Sequence, residues 1–322
     1  MKKILVSGGA GYLGTFLSSY LLKNFKIVIY DEFYFPWILK NKKKLKFNKR
    51  LTFIKKNILN VKIDDFKDVD VVCDLNGIPN DPASELNKKL TWKINYHGRK
   101  NFAKIAKKAG VKRYVFNSTC SVYGFNNNFV NENSKKKPLS TYAKANYEAE
   151  KYIYKLKSKY FSVNILRNAT LYGFSPEMRL DLVINKWIHK FIRTKKIYID
   201  GDGSQWRPFI SVIDISKIYR NIIIKNHKSY ICNLVSFNLK IKDLASKICK
   251  SLNTSDNIIF FNKKNVDHRN YKVSNKRFKK IFKDFKFANF NSEIKKLKTF
   301  LKKSNRVENK KNIRMKFYKS KF

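Results

Sequence analysis

Lys3-Ile4-Leu5-Val6-Ser7-Gly8-Gly9-Ala10-Gly11-Tyr12-Leu13-Gly14 is the stretch on which the fold turns. Its first half is a short apolar run ended by glycine, which reads as a buried strand. Its second half spaces glycines as Gly8-x-x-Gly11-x-x-Gly14. Beyond it, Leu13, Phe16, Leu17, Tyr20 and Leu21 recur at helical spacing and predict a helix from Ala10 to Lys23. A strand, a glycine turn and a helix in that order make a pyrophosphate cradle. The glycines permit a tight turn and close backbone approach, and the helix start presents free N–H groups. Tyr12 and Leu13 stand where those amides are offered.

Working outward, a second strand is predicted over Lys26 to Tyr30, and Asp31 follows it directly. A carboxylate there accepts hydrogen bonds from an adenosine ribose and repels a 2′-phosphate, which selects NAD over NADP. Asn57-Ile58 follows another short strand, Leu51 to Ile54, and places an amide where an adenine edge would lie. Further strands are read at Val69 to Leu75, Lys112 to Asn117 and Ser162 to Arg167. Helices are read at Leu86 to Gly110 and Ser140 to Lys159. This alternation predicts an α/β chain, a Rossmann-type doubly wound parallel sheet covered on both faces.

After Gly173 the alternation weakens. Helices are expected over 181–194, 214–225, 242–252 and 290–300, and extended segments over 196–200, 209–212 and 258–261. These suit a smaller mixed α/β C-terminal substrate-binding portion. The expected division is 1–170 for the nucleotide-binding domain, with 207–228 returning to it through the strand at Phe209. The second portion takes 171–206 and 229–301, and 302–322 is a polar, basic tail without apolar periodicity.

Of the 322 residues, 71 are Lys or Arg and 23 Asp or Glu, a formal charge of +48. With 43% hydrophobic residues the chain can bury a large core, which excludes wholesale disorder. No run of 18 apolar residues occurs, so no membrane-spanning helix is expected. The opening apolar stretch breaks at Ser7-Gly8-Gly9, too soon for a signal peptide. Cys73, Cys120, Cys232 and Cys249 lack CxxC or metal-ligand spacing, so neither a disulfide scaffold nor a metal site is expected, and a reducing, cytoplasmic setting is. The lysines are spread along the whole chain. That favours compositional drift over a nucleic-acid partner, while still attracting anionic ligands such as nucleotide sugars.

Three more segments share one pattern: Asn117-Ser118-Thr119-Cys120-Ser121-Val122-Tyr123-Gly124, Ser140-Thr141-Tyr142-Ala143-Lys144 and Leu166-Arg167-Asn168-Ala169-Thr170-Leu171-Tyr172-Gly173. Together with the glycine turn, Gly201-Asp202-Gly203-Ser204-Gln205-Trp206-Arg207-Pro208-Phe209 and Asp267-His268-Arg269-Asn270-Tyr271-Lys272-Val273, the chain from about residue 2 to 287 resembles the extended short-chain dehydrogenase/reductase family. Within it, the resemblance is to the NAD-dependent epimerase/dehydratase group acting on nucleotide sugars. The resemblance implies that Thr119 hydrogen-bonds the sugar's reacting oxygen and that Tyr142 is the general base. It implies that Asn95 lies by the cofactor and that Arg207 and Arg269 grip a nucleoside diphosphate. Thr170 and Asn185 fall at its substrate contacts, and it implies a homodimer.

One position departs from the family pattern. Tyr-x-x-x-Lys reads here Tyr142-Ala143-Lys144-Ala145-Asn146. In the family that lysine binds the nicotinamide ribose and makes the tyrosine more acidic. Asn146 can hydrogen-bond the ribose but brings no charge. Lys144 points ~200° away from Tyr142 on a helix. A charge ~6 Å from the phenol at an effective dielectric of ~20 is worth roughly 3 kcal/mol, about two pKa units. The expectation from sequence is that Asn146→Lys raises turnover by about one to two powers of ten. Family dehydratases carry acidic residues after the threonine, whereas Cys120 and Ser121 follow here. The expected function is therefore an NAD-dependent C4 epimerase of nucleotide sugars for surface polysaccharides. The alternatives are a ketosugar reductase, or a non-catalytic member that holds NAD or RNA.

Overall fold

The computed structural model describes residues 1–225, 228–254, 257–261, 269–304 and 313–320. Seven strands make one sheet: β1 (Lys3–Ser7), β2 (Lys26–Asp31), β3 (Leu51–Lys55), β4 (Val71–Asp74), β5 (Arg113–Thr119), β6 (Ser162–Asn168) and β7 (Tyr230–Leu234). Their order is β7-β6-β5-β4-β1-β2-β3, and every pairing is parallel. The strands are short apolar runs because helices cover both faces. Ile4 and Val6 point to a core shared with Leu13, Leu17 and Leu21 of helix α1 (Tyr12–Leu21). Leu5 points the other way, toward Phe102 of α2 (Arg99–Lys108) and Ala149 of α3 (Thr141–Lys155). The expected doubly wound parallel sheet is thus present.

Trp206–Ser211 does not return to the large sheet, as Phe209 was expected to. It forms a second sheet with Thr170–Tyr172 and Phe237–Lys240. What returns is α4 (Val212–Ile224), which packs against α1, and β7, which pairs along β6 from Tyr230↔Asn164 to Leu234↔Asn168. The run Tyr230-Ile231-Cys232-Asn233-Leu234 follows a helix and can close the parallel edge by an ordinary crossover.

The helix expected over 86–110 is broken. Lys88–Trp92 leads into a wide π-type turn at Lys93–Gly98 before α2 begins. Gly98 sits where a Cβ would meet Ile58 Cγ2 at 2.9 Å, so the chain passes close to the loop after β3. The turn leaves Asn95 and Arg99 both buried.

The supposed tail is also partly structured. Residues 302–303 complete α5 (Phe290–Lys303), and Arg314–Lys319 form a short helix, α6. On α6, Tyr318 is buried with Ile78 and Ala83, and the Phe317 ring lies 4.9 Å from that of Phe35. Two aromatics on a short basic helix give no periodic signal, so their docking was invisible in the sequence. Among the described residues no helix is long and apolar enough to cross a membrane.

Candidate active site

A cleft of about 660 Å³ opens at the C-terminal ends of β1, β2, β4, β5 and β6 and is lined there by Gly8, Asp31, Leu75, Thr119 and Asn168. It straddles the β1/β4 neighbourhood, where strand order reverses. Parallel sheets bind ligands at that point.

The glycine turn forms one wall. Gly8 has φ +70°, and a Cβ there would lie 2.9 Å from the Asn76 backbone; a Cβ on Gly14 would collide with the Gly8 carbonyl. Gly11 caps α1 without any side chain, so the first-turn amides of Tyr12 and Leu13 have no side-chain cap. Gly8, Gly11, Tyr12, Leu13 and Gly14 all line the cleft. The cradle that a dinucleotide's pyrophosphate requires is therefore present in this backbone. Asp31 accepts from Ala10 N at 3.0 Å and Phe33 N at 2.8 Å, which ties its carboxylate to the glycine turn while it lines the cleft.

Other predicted residues do local work as well. Asn57 lines the cleft, but its Oδ1 accepts from Leu59 N at 2.9 Å; Ile58 belongs to the core beneath. Asn95 clamps Ile78, accepting its N–H at 2.8 Å and donating to its carbonyl at 3.0 Å, which fixes the loop after β4. Asn185 does not line the cleft. Its amide accepts from Gly173 N and donates to the Tyr12 hydroxyl and the Arg179 carbonyl, each at 3.0 Å. Tyr12 in turn donates to the Gly173 carbonyl at 2.7 Å, and burial pushes its phenol well above the ordinary value. Asn185 thus sets the position of the loop carrying Arg179.

Thr119 and Tyr142 meet in the cleft from β5 and α3. Thr119 ends its strand opposite Asn168 and accepts from Ser121 N at 3.1 Å. Ser140 starts α3 by accepting from Ala143 N at 3.1 Å, which presents Tyr142 on the first turn. Burial raises the Tyr142 pKa, and Asp81 adds to the rise. Arg99, a hydrogen bond with Thr119 and Arg179 oppose it. Lys144 is exposed and does not line the cleft, as its place on the helix requires.

Asn146 is buried and reaches two partners. Its Nδ2 donates to the Tyr142 carbonyl at 2.8 Å, and its Oδ1 accepts from Arg99 Nη1 at 2.8 Å. Arg99 was not anticipated. Neither were Asp81, bonded to Ser140 and ion-paired with Arg269, or Arg179, which forks onto Asp181 at 3.0 and 2.8 Å. Arg207 lines the cleft and donates to the carbonyls of Trp206 and Arg269, with Tyr271 beneath its guanidinium; Thr170 lines the cleft too. Asp267 and His268 lie outside the described residues. Arginine is the signal that could have flagged Arg99 and Arg179, but in a chain with 71 basic residues they do not stand out, and nothing in the sequence marks Asp81.

A sequence profile of the NAD dependent epimerase/dehydratase family matches residues 4–233. The chain is 33% identical over 234 residues to the uncharacterized UDP-glucose epimerase YtcB of Bacillus subtilis (strain 168), covering 70% of this chain and 73% of that one. It is 30% identical over 231 residues to a UDP-glucuronate 4-epimerase of Thermodesulfobacterium geofontis, covering 67% and 70%. Its fold is similar to that of the UDP-glucuronic acid 4-epimerase from Bacillus cereus, solved with UDP-glucuronic acid and NAD. The TM-score is 0.81 at 24% identity, over 94% of this chain and 99% of that one.

Proposed function

Because the chain belongs to the NAD-dependent epimerase/dehydratase family, we propose that it is an epimerase inverting C4 of a nucleoside-diphosphate sugar by transient oxidation. The observation carrying this reading is that Thr119 and Tyr142 share the cleft below the glycine turn, with Cys120 and Ser121 beside Thr119 instead of carboxylates. Dehydration needs an acid to protonate the leaving hydroxyl. The buried Cys120 thiol donates to the Arg167 carbonyl at 3.2 Å, and burial pushes its pKa up, so it is a poor candidate.

When bound, NAD supplies a reversible hydride acceptor. Gly8, Gly11 and Gly14 admit its pyrophosphate to the start of α1, where the Tyr12 and Leu13 amides donate. Asp31 takes the adenosine ribose and Asn57 the adenine edge, with Ile58 beneath as packing. Asn95 acts by holding the neighbouring loop. As its phenolate, Tyr142 takes the C4 hydroxyl proton and later returns it, and the Thr119 hydroxyl holds the same sugar oxygen. Thr170, Arg207 and Arg269 face the nucleotide sugar, the arginines offering planar forks to phosphate oxygens. Asn185 contributes through the loop it positions. In this reading 1–170, joined by α4 and β7, is the cofactor domain, and 171–206 with 235–301 is the substrate portion. The family resemblance supports a homodimer serving polysaccharide synthesis, and the four buried cysteine thiols support a cytoplasmic setting.

The test is to incubate the protein with NAD and UDP-glucose or UDP-glucuronate and follow the anomeric protons by NMR. The C4 epimer should form with wild type and not with Tyr142→Phe. A 4-keto-6-deoxy product would show dehydration instead. Absence of any product from a panel of nucleotide sugars, with NAD bound, would sink the reading.

A further inference from the structure

Asn146 is locked by its two hydrogen bonds. An amide has a distinct donor and acceptor end. Here the donor end faces the Tyr142 carbonyl and the acceptor end faces the Arg99 guanidinium, both at 2.8 Å. Arg99 comes from the first residue of α2, just past the π-type turn, and is 2% exposed. Its Nε donates to Asp74 Oδ2 at 2.9 Å, and Nη2 donates to the carbonyls of Asp74 and Asn117, each at 3.0 Å. Its Cζ lies 3.8 Å from the centre of the Phe116 ring. Such a guanidinium is fixed in place, and it lines the same cleft as Tyr142.

We propose that Arg99 is the cationic partner of Tyr142: the positive charge that Tyr-x-x-x-Lys carries on one helix is here delivered from the neighbouring helix and held against Asn146. This rests on the epimerase reading for its purpose, but not for its test. Arg99 is a positioning residue, since its guanidinium acts on the general base from behind Asn146. Its own counter-charge is spread. Asp74 also accepts from the Ser7 hydroxyl at 3.2 Å, Asn76 N at 3.1 Å and the Tyr114 hydroxyl at 2.8 Å, which share its negative charge away from Asn146. The other charged groups facing Tyr142 are Asp81, which works against a phenolate, and Arg179, which works with Arg99. Asp81 is itself paired with Arg269.

The experiment measures the ionisation midpoint of Tyr142 directly. Protein carrying 13Cζ-tyrosine is titrated with and without NAD, and the Tyr142 resonance is assigned by its loss in Tyr142→Phe. Arg99→Gln should move the midpoint upward by about one pH unit or more, and Arg99→Lys should recover most of the shift. Arg99→Gln leaves Asp74 buried without its cation and can fail to fold. The double variant Arg99→Gln/Asp74→Asn removes both charges and keeps the packing, and its midpoint should also rise. A second double variant, Arg99→Gln/Asn146→Lys, should bring the midpoint back toward wild type. An unchanged midpoint in the folded charge-free double variant would overturn the proposal, because it would mean that Asp74 already cancels Arg99 at the phenol. The epimerase reading fails separately, if wild type turns over no nucleotide sugar while the midpoints still shift.

Discussion

Asn146→Lys is the substitution on which sequence and structure disagree most sharply. From the motif alone it restores a missing cation and speeds turnover. In the structure it places an ammonium against a guanidinium already there. Asn146 Oδ1 accepts from Arg99 Nη1 at 2.8 Å, so the new charge would sit within ~4 Å of Arg99. At an effective dielectric of ~20, two like charges at that distance repel by about 4 kcal/mol. Loss of the amide acceptor leaves a buried Arg99 N–H unsatisfied, at about 1–3 kcal/mol. Asp74 offsets part of this, and the lysine can escape by releasing its proton. At pH 7 that escape caps the electrostatic penalty at roughly 4.6 kcal/mol, from a free-lysine pKa of ~10.4.

The expected net loss is about 3–5 kcal/mol, or roughly 4–7 °C in Tm for a chain of this size. The pH dependence has a definite sign. The folded variant holds its lysine below the ordinary value, so the unfolded chain binds more protons, and stability rises with pH from the folded pKa toward ~10.4. Urea unfolding of wild type and variant at pH 7 and pH 9 should show a gap that narrows at the higher pH. A variant as stable as wild type at pH 7, with turnover raised tenfold, would refute this reasoning and put Arg99 out of reach of position 146.

Three further outcomes follow from the same geometry. Because burial and Asp81 hold the Tyr142 phenol above its ordinary value, turnover should climb with pH on the alkaline side, and Tyr142→Phe should lower kcat by roughly 10²–10⁴ while fluorescence titration still detects NADH binding. Asp31 should make NADH bind more tightly than NADPH at moderate salt; Asp31→Ala should narrow that gap, and equal affinities in wild type would discard the ribose assignment. Phe317→Ala/Tyr318→Ala removes the aromatics packed on Phe35, Ile78 and Ala83, and should weaken NADH binding several-fold and expose the loop after β4 to protease; no change in either would show that α6 is dispensable.

The nucleotide cradle was legible because its causes are local. Gly8, Gly11 and Gly14 lie within a turn of seven residues, and the backbone shows the collisions that a Cβ would bring at Gly8 and Gly14. Asp31, at the end of a strand with only four apolar positions, is similarly readable. Thr119 and Tyr142 came from motifs whose spacing reflects one strand end and one helix turn. The helix across 86–110 was read as continuous because no proline marks its break. The π-type turn brings Gly98 against a loop some forty residues earlier. The resemblance implies that Asn185 touches substrate, yet its partners are Gly173 and Arg179 nearby in the chain and Tyr12, 173 residues away.

By itself, then, the sequence determined the parallel sheet, the phosphate-binding turn, the tyrosine on the first turn of its helix and the absence of a lysine four residues later. The turn and the helix start depend on neighbours within a few positions, and the parallel sheet follows from strands alternating with helices along the chain. Only the tertiary structure decided where the compensating charge comes from. Arg99 meets Asn146 across 47 residues and Asp74 across 25, and a buried guanidinium is tolerated only where a carboxylate, two carbonyls and an amide converge on it. That convergence is a property of packed elements in three dimensions, and no spacing along the chain encodes it.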